Sequence, residues 1–188
     1  MRTQNQTMLS ENTLTSRPTD IIAGFPVRPG FFELNGATPL SNGVNFTAHT
    51  RHGTSCELLL FHSGEEEPFA VLPFPNACRI GDVYSMIVMG LDIEDLEYGY
   101  RIDGPYEPEK GHIFDKTKVL LDPYAKAVAG QREWGQQKIG SYHARVVRDS
   151  FDWEDMPQST RKISDLIIYE LHVRGFTQDS SSGVMHPG

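Results

Sequence analysis

The sequence predicts an all-β fold: an immunoglobulin-like antiparallel β-sandwich, followed by an irregular linking segment and the first strand of a parallel barrel. Three observations carry that prediction. Period-two runs of apolar and polar residues recur at short intervals between residues 44 and 103, and each is bounded by turn-forming residues. No stretch among them has a sustained helical period. The apolar run from Ile163 to Tyr169 is near-continuous instead of alternating, as expected of a strand covered on both faces in a parallel sheet.

Residues 1–20 are rich in Thr, Asn, Gln and Ser with little to bury, which predicts a disordered N-terminal tail. Turn residues then become dense, ending in Asn42-Gly43, where Gly tolerates the positive φ of a tight turn. Val44, Phe46 and Ala48 alternate with Asn45, Thr47 and His49 as a half-buried strand. Cys56, Leu58 and Leu60 form one face of a second strand, and Leu59 with Phe61 partly fills the other. Phe69, Val71 and Leu72 suggest a third, and Val83 to Val88 a fourth that is apolar on both faces. Tyr98, Tyr100 and Ile102 alternate with Gly99, Arg101 and Asp103 as a fifth. Glu65-Glu66-Glu67 reads as a solvated turn that also discourages edge pairing. These elements place the sandwich at 21–108.

The segment 109–162 is polar and irregular, with Trp134, Tyr142, Phe151 and Trp153 spaced through it. It has too little apolar surface for a core of its own and is expected to drape over a neighbouring domain. Residues 163–188 are expected to open a barrel whose remaining strands lie beyond Gly188.

The chain has 188 residues and a net charge of -8, which argues against nucleic acid and anionic membrane as partners, since both need clustered Lys and Arg. No apolar run reaches the roughly 20 residues that span a bilayer. The polar N-terminus lacks the apolar stretch of an export signal, so a cytoplasmic location is expected. Cys56 and Cys78 lie in or beside strand patterns and read as buried free thiols. His49 with His52, or Glu170 with His172, lacks a third ligand at metal-binding spacing. No metal or cofactor is expected, and no nucleophile-base arrangement or phosphate-cradling glycine loop is present.

Three phrases in order carry a resemblance: Gly36-Ala-Thr-Pro-Leu-Ser-Asn-Gly-Val-Asn-Phe46; Tyr98-Gly-Tyr-Arg-Ile-Asp-Gly-Pro-Tyr106 with its continuation to Ala125; and Ile168-Tyr-Glu-Leu-His-Val-Arg-Gly-Phe-Thr177. Together they resemble the glycogen-debranching and isoamylase branch of the alpha-amylase superfamily, glycoside hydrolase family 13. The resemblance implies a sandwich of the family 48 carbohydrate-binding type and a (β/α)8 barrel opening near residue 163. It also implies hydrolysis of α-1,6-glucosidic branches in glycogen, starch or limit dextrin, with retention. Two places depart from the pattern: Tyr84 stands where Trp is expected, and Ile113 and Asp115 where Arg and Asn are usual.

Retaining hydrolysis needs two carboxyl groups about 5 Å apart, placed at the ends of several barrel strands. The resemblance puts them on later strands, so no catalytic residue is assigned here. Glu170 reads as a first-strand structural residue, with Tyr169 and His172 as candidates to support the substrate end of the barrel. Glucan binding pairs exposed aromatics with polar side chains. The candidates are Tyr106, Trp134 and Tyr84, whereas Tyr98 and Tyr100 share a face with Ile102 and read as core. A sandwich that braces the barrel and a stand-alone glucan-binding or protein-interaction module both remain open.

Overall fold

The computed structural model describes residues 17–130, 142–148, 152 and 160–187. The chain divides into two compact units, 1–149 and 150–188. In the first, the strands in chain order are β1 (Asp20–Ile22), β2 (Phe25–Pro29), β3 (Gly36–Leu40), β4 (Gly43–His49), β5 (Ser55–His62), β6 (Ala70–Pro73) and β7 (Arg79–Ile80). They continue with β8 (Val83–Met89), β9 (Leu96–Asp103), β10 (Tyr106–Glu107), β11 (His112–Ile113), β12 (Ala127–Ala129) and β13 (His143–Arg145).

One sheet has the order β1-β2-β8-β4-β3, with β7 also paired to β8. The other has the order β12-β13-β9-β5-β6, and β10 and β11 form a separate hairpin. Every pairing is antiparallel. Alternation along each strand decides what the sandwich buries. Val44 and Phe46 from β4, Leu58 and Leu60 from β5, and Met86 and Val88 from β8 all reach 0 % exposure in one core cluster. Burying each such side chain contributes about 1.5–3 kcal/mol.

All five predicted strands are present. Gly43 differs from expectation: the two-residue turn lies at Ser41 and Asn42, between the paired Leu40 and Gly43, and Gly43 is not among the positive-φ glycines. Glycine is needed there because a Cβ would collide with the Val88 carbonyl oxygen of β8.

The face of the first sheet opposite the core is polar yet buried. Asn45, Thr47 and Ser85 are at most 1 % exposed. Thr47 Oγ1 lies 2.8 Å from Ser85 Oγ, Asn45 Nδ2 donates to Thr47 Oγ1 at 3.0 Å, and the Phe31 N–H donates to Asn45 Oδ1 at 2.7 Å. Gly30 crosses over this network, where a Cβ would strike Asn45 and Ser85. Mutual hydrogen bonding is what makes burial of three polar side chains tolerable.

The segment 109–162, expected to be irregular, contributes to the sandwich. Leu120 bridges Tyr100 with backbone bonds of 2.7 and 3.0 Å. Further along the same edge of β9, β13 pairs Ala144 with Tyr98 and Arg145 with Glu97. The edge of β9 presents unpaired backbone groups, and short stretches with weak alternation can satisfy them. Residues 1–16 of the expected tail lie outside the described residues, and Asp20 is already in β1.

The second unit contains a 3₁₀ turn at Ile163–Asp165, a five-residue helix α1 (Val173–Thr177) and another 3₁₀ turn at Ser180–Ser182. The strand expected from Ile163 to Tyr169 does not form a ladder among the described residues. Ile167 is 101 % exposed and Tyr169 78 %. A parallel strand is held by neighbours on both sides, and none is supplied by the described residues of this unit.

Candidate functional site

Tyr106 is set out from the sandwich by the chain that leaves β9. Gly104 packs against Phe114, where a Cβ would come within 2.6 Å of the ring, and Pro105 then turns the backbone into β10. The β10–β11 hairpin is closed by Pro108–Lys110 and by Gly111 at φ +82°, a left-handed conformation suited to glycine. Tyr106 is paired with Ile113, so the two side chains share a face, and they are 72 % and 70 % exposed. Ile113, one of the departures from the family pattern, thus widens an apolar patch beside the tyrosine ring.

Where β9 ends, Ser55 is opposite Asp103 and Glu57 opposite Arg101 on β5 and β9. With Lys116 and Thr117 they line an open cleft of about 490 Å³. Lys116 Nζ is 3.8 Å from Asp103 Oδ2, an exposed pair of little energetic weight. The cleft is rich in hydroxyl, carboxylate and cationic groups. Such groups can donate to and accept from a polyhydroxylated ligand.

A second feature secures residues 120–124. Asp122 is 2 % exposed, with Oδ2 accepting from the Tyr98 hydroxyl at 2.8 Å and Oδ1 from the Tyr124 N–H at 2.8 Å. Burial pushes its carboxyl above the usual range, opposed by the hydrogen bonds from Tyr124 and Tyr98. Gly36, at φ +75°, approaches the Tyr124 carbonyl so closely that a Cβ would lie 2.9 Å from it. This fixes the Leu120–Ala125 phrase against β3.

The remaining candidates fall elsewhere. Tyr84 is 2 % exposed, with its ring edge-on to Phe74 and the Arg79 guanidinium 4.9 Å from its centroid. It offers no ring face to a sugar, because β8 alternation turns it into the core. Trp134 lies outside the described residues. Tyr98 and Tyr100 are core, as expected. Tyr169, Glu170 and His172 belong to the second unit and are all exposed. There His172 Nδ1 accepts from the Gly175 N–H at 3.0 Å and caps α1.

One pair escaped sequence reasoning. Glu97 and His143 are 2 % and 4 % exposed, with Glu97 Oε2 3.1 Å from His143 Nδ1. Glu97 Oε1 accepts from Ser63 Oγ at 3.2 Å and from the Gly64 N–H at 3.0 Å. The His143 ring stacks on Phe61, centroids 3.8 Å apart. The available signal was Phe61, an apolar residue on the outward face of β5 that required a cover. Among the described residues no group of three His, Cys, Asp or Glu side chains could hold a metal ion, and no helix is long and apolar enough to cross a membrane.

Comparison with known proteins adds three findings. Residues 35–125 match the family model of carbohydrate-binding module 48 (isoamylase N-terminal domain). The chain is 36 % identical over 180 residues to the chloroplastic isoamylase SU1 of Zea mays, covering 89 % of this chain and 22 % of that protein. It is 35 % identical over 156 residues to the glycogen debranching enzyme of Salmonella typhi, covering 76 % of this chain and 23 % of that protein. The chain therefore spans about a fifth of the length of these curated relatives.

Among solved structures, it resembles pullulanase from Paenibacillus barengoltzii in complex with maltohexaose and alpha-cyclodextrin. That match has a TM-score of 0.54 and 21 % identity, over 79 % of this chain and 20 % of the other. Pullulanase type I from Bacillus subtilis str. 168 gives 0.53 at 22 % identity, over 82 % of this chain and 19 % of the other. At such identities the likeness establishes the fold alone. The match to residue 125 also agrees with the anchoring of Leu120–Ala125 by Asp122 and Gly36. Over residues 35–125 the β-sandwich of this chain thus matches carbohydrate-binding module 48, the isoamylase N-terminal domain.

Proposed function

We propose that this chain is the N-terminal portion of an enzyme that hydrolyses α-1,6-glucosidic branches of glycogen, starch or limit dextrin with retention. The sandwich braces the catalytic barrel and offers a weak glucan contact through Tyr106. The observation that carries this reading is the extent of the isoamylase likeness. It covers 89 % of the chain, and the uncovered remainder is shorter than the second unit, 150–188. The likeness therefore runs past the sandwich into the segment that resembles a barrel's first strand.

The exposed apolar side chains of that segment, Ile163, Ile167 and Ile168 among them, support a strand awaiting barrel neighbours. In that setting Tyr169, Glu170 and His172 support the substrate end of the barrel, and the catalytic carboxylates come from later strands. The product of the full open reading frame is expected to release linear chains from amylopectin, while the 188-residue chain releases none. Inactivity of the full product on branched glucan would refute the enzymatic reading, and hydrolysis by the 188-residue chain would refute the placement of the carboxylates.

The exposed Tyr106–Ile113 patch favours a second reading, a glucan-binding module in its own right. Affinity electrophoresis in glycogen gels separates the two. Strong retardation that is lost in Tyr106→Ala favours the module, and weak or absent retardation favours the brace. Because Tyr106 is 72 % exposed, this variant is expected to melt within about 0.5 kcal/mol of the parent.

A further inference from the structure

The other end of the β5–β9 ladder carries a second cleft. The register runs from Ser55 opposite Asp103 to His62 opposite Leu96, which separates the two ends by about 23 Å at ~3.3 Å per residue. At the His62 end, Phe25, His62, Phe69, Leu91, Asp92 and Asp95 surround an opening of about 250 Å³. This is smaller than the ~300–1,000 Å³ of pockets that enclose drug-sized ligands, and its size suits a single pyranose ring.

Its walls are of two kinds. The His62 ring stacks on Phe69 with centroids 4.4 Å apart at 28°, and Phe25 lies 6.2 Å from Phe69. Phe69 is 40 % exposed and the His62 side chain 59 %. A two-ring wall is therefore open to solvent although its inner side rests on the sandwich. Facing it are carboxylates held by the backbone. Asp95 Oδ2 is 2.8 Å from His62 Nδ1 and its Oδ1 accepts from the Ser63 N–H at 3.1 Å. Asp92 Oδ1 accepts from the Glu94 N–H at 3.2 Å. Each carboxylate oxygen has a second lone pair, so acceptors are fixed in position yet retain capacity for hydroxyl donors. Glu65, Glu66, Glu67 and Glu94 stand exposed nearby in sequence, an acidic rim that disfavours anionic ligands and leaves a neutral polyol unaffected.

We propose that this cleft is a second glucan-contact site, in which one glucosyl unit lays its CH face on the Phe69–His62 stack and donates hydroxyls to Asp92 and Asp95. The proposal rests on the glucan reading above and extends it. Two weak contacts on one rigid module would bind neighbouring outer chains of a branched polymer with an avidity neither reaches alone. A short linear oligosaccharide would report each contact separately.

The test is amide shift mapping of the 188-residue chain titrated with maltotetraose, in the parent and in Tyr106→Ala, Phe69→Ala and Asp92→Asn. Shifts are expected at 62–69 and 90–96 in the parent, and they should persist in Tyr106→Ala. Affinity read at those amides is expected to fall about tenfold in Phe69→Ala, the scale of one lost ring contact. In Asp92→Asn, which keeps the backbone contact but loses charge assistance, it should fall about threefold. The latter variant keeps the proposal testable if Phe69→Ala melts early. Shifts confined to the Tyr106–Ile113 hairpin would overturn this inference and leave the glucan reading intact, whereas no shifts anywhere would overturn both. Cleft shifts with calcium chloride but not with maltotetraose would assign the carboxylates to a cation and overturn the proposal.

Discussion

Replacing Tyr98 by Phe deletes one oxygen from a core that is otherwise unchanged in shape. Tyr98 is 0 % exposed and packs edge-on against Phe46 and Tyr100, so the ring remains filled and no cavity opens. What disappears is the 2.8 Å bond to Asp122 Oδ2, leaving that buried carboxylate with the Tyr124 N–H. Hydrogen bonds to charged groups contribute about 1.5–3 kcal/mol, and the expected loss at pH 7 is about 2 kcal/mol. With an m-value of roughly 2 kcal/mol/M in urea, the midpoint falls by about 1 M.

The sign of the pH dependence follows from burial, which raises the Asp122 pKa in the fold. A carboxyl with a raised folded pKa holds its proton more tightly in the native state. Its stabilisation is therefore full below the unfolded value, and is lost as pH rises through the folded value. Tyr98→Phe removes a contact that favours the ionised form, so its cost should already be smaller at about pH 4 than at pH 7, because the folded pKa of the carboxyl lies above its ordinary value. Urea titrations followed by circular dichroism at both pH values, in the parent and the Asp122→Asn background, complete the cycle. A midpoint shift under about 0.3 M at pH 7, or an equal loss in both backgrounds, would refute the reasoning.

His143→Ala should cost roughly 3 kcal/mol, because it uncovers Phe61 and leaves the buried Glu97 without its aromatic partner. A loss below about 1 kcal/mol in urea titration would contradict that role. Burial pushes the Cys56 thiol up to about 12 and that of Cys78 up to about 11. Neither should react with an aromatic disulfide reagent at pH 8 until urea unfolds the chain, and prompt labelling of the native protein would count against their burial. Amides of 166–172 in the 188-residue chain should exchange near the rate of an unstructured peptide while those of β8 and β9 remain protected. Slow exchange at 166–172 would mean that the segment finds a partner within the chain.

The strands that build the core were legible because each buries one face, and a half-buried strand writes itself as alternation. That held for Val44–Ala48, Cys56–Leu60 and Tyr98–Ile102, where every second side chain must be apolar whatever the neighbours are. The sheet-edge strands were not legible. β12 and β13 are three residues each, too short for a period to register; β13 is recruited by unpaired backbone groups of β9, and β12 by those of β13. The same limit governed the aromatics. Tyr106, after Gly104-Pro105, is readable as exposed, but nothing local in the sequence shows that β8 turns Tyr84 inward between Phe74 and Arg79.

From its residues alone, then, this chain determined a sandwich with a core of alternating apolar side chains, an exposed Tyr106 and the debranching-enzyme phrases, since local pattern and short-range turn chemistry suffice for those. Only the tertiary structure decided that Glu97 meets His143 and that Tyr98 ties Asp122 across 24 residues. It also decided that Phe69, His62 and Asp95 converge on one cleft. Such contacts join residues distant in sequence, and sheet order, set by which strand edges meet, is carried by no single segment.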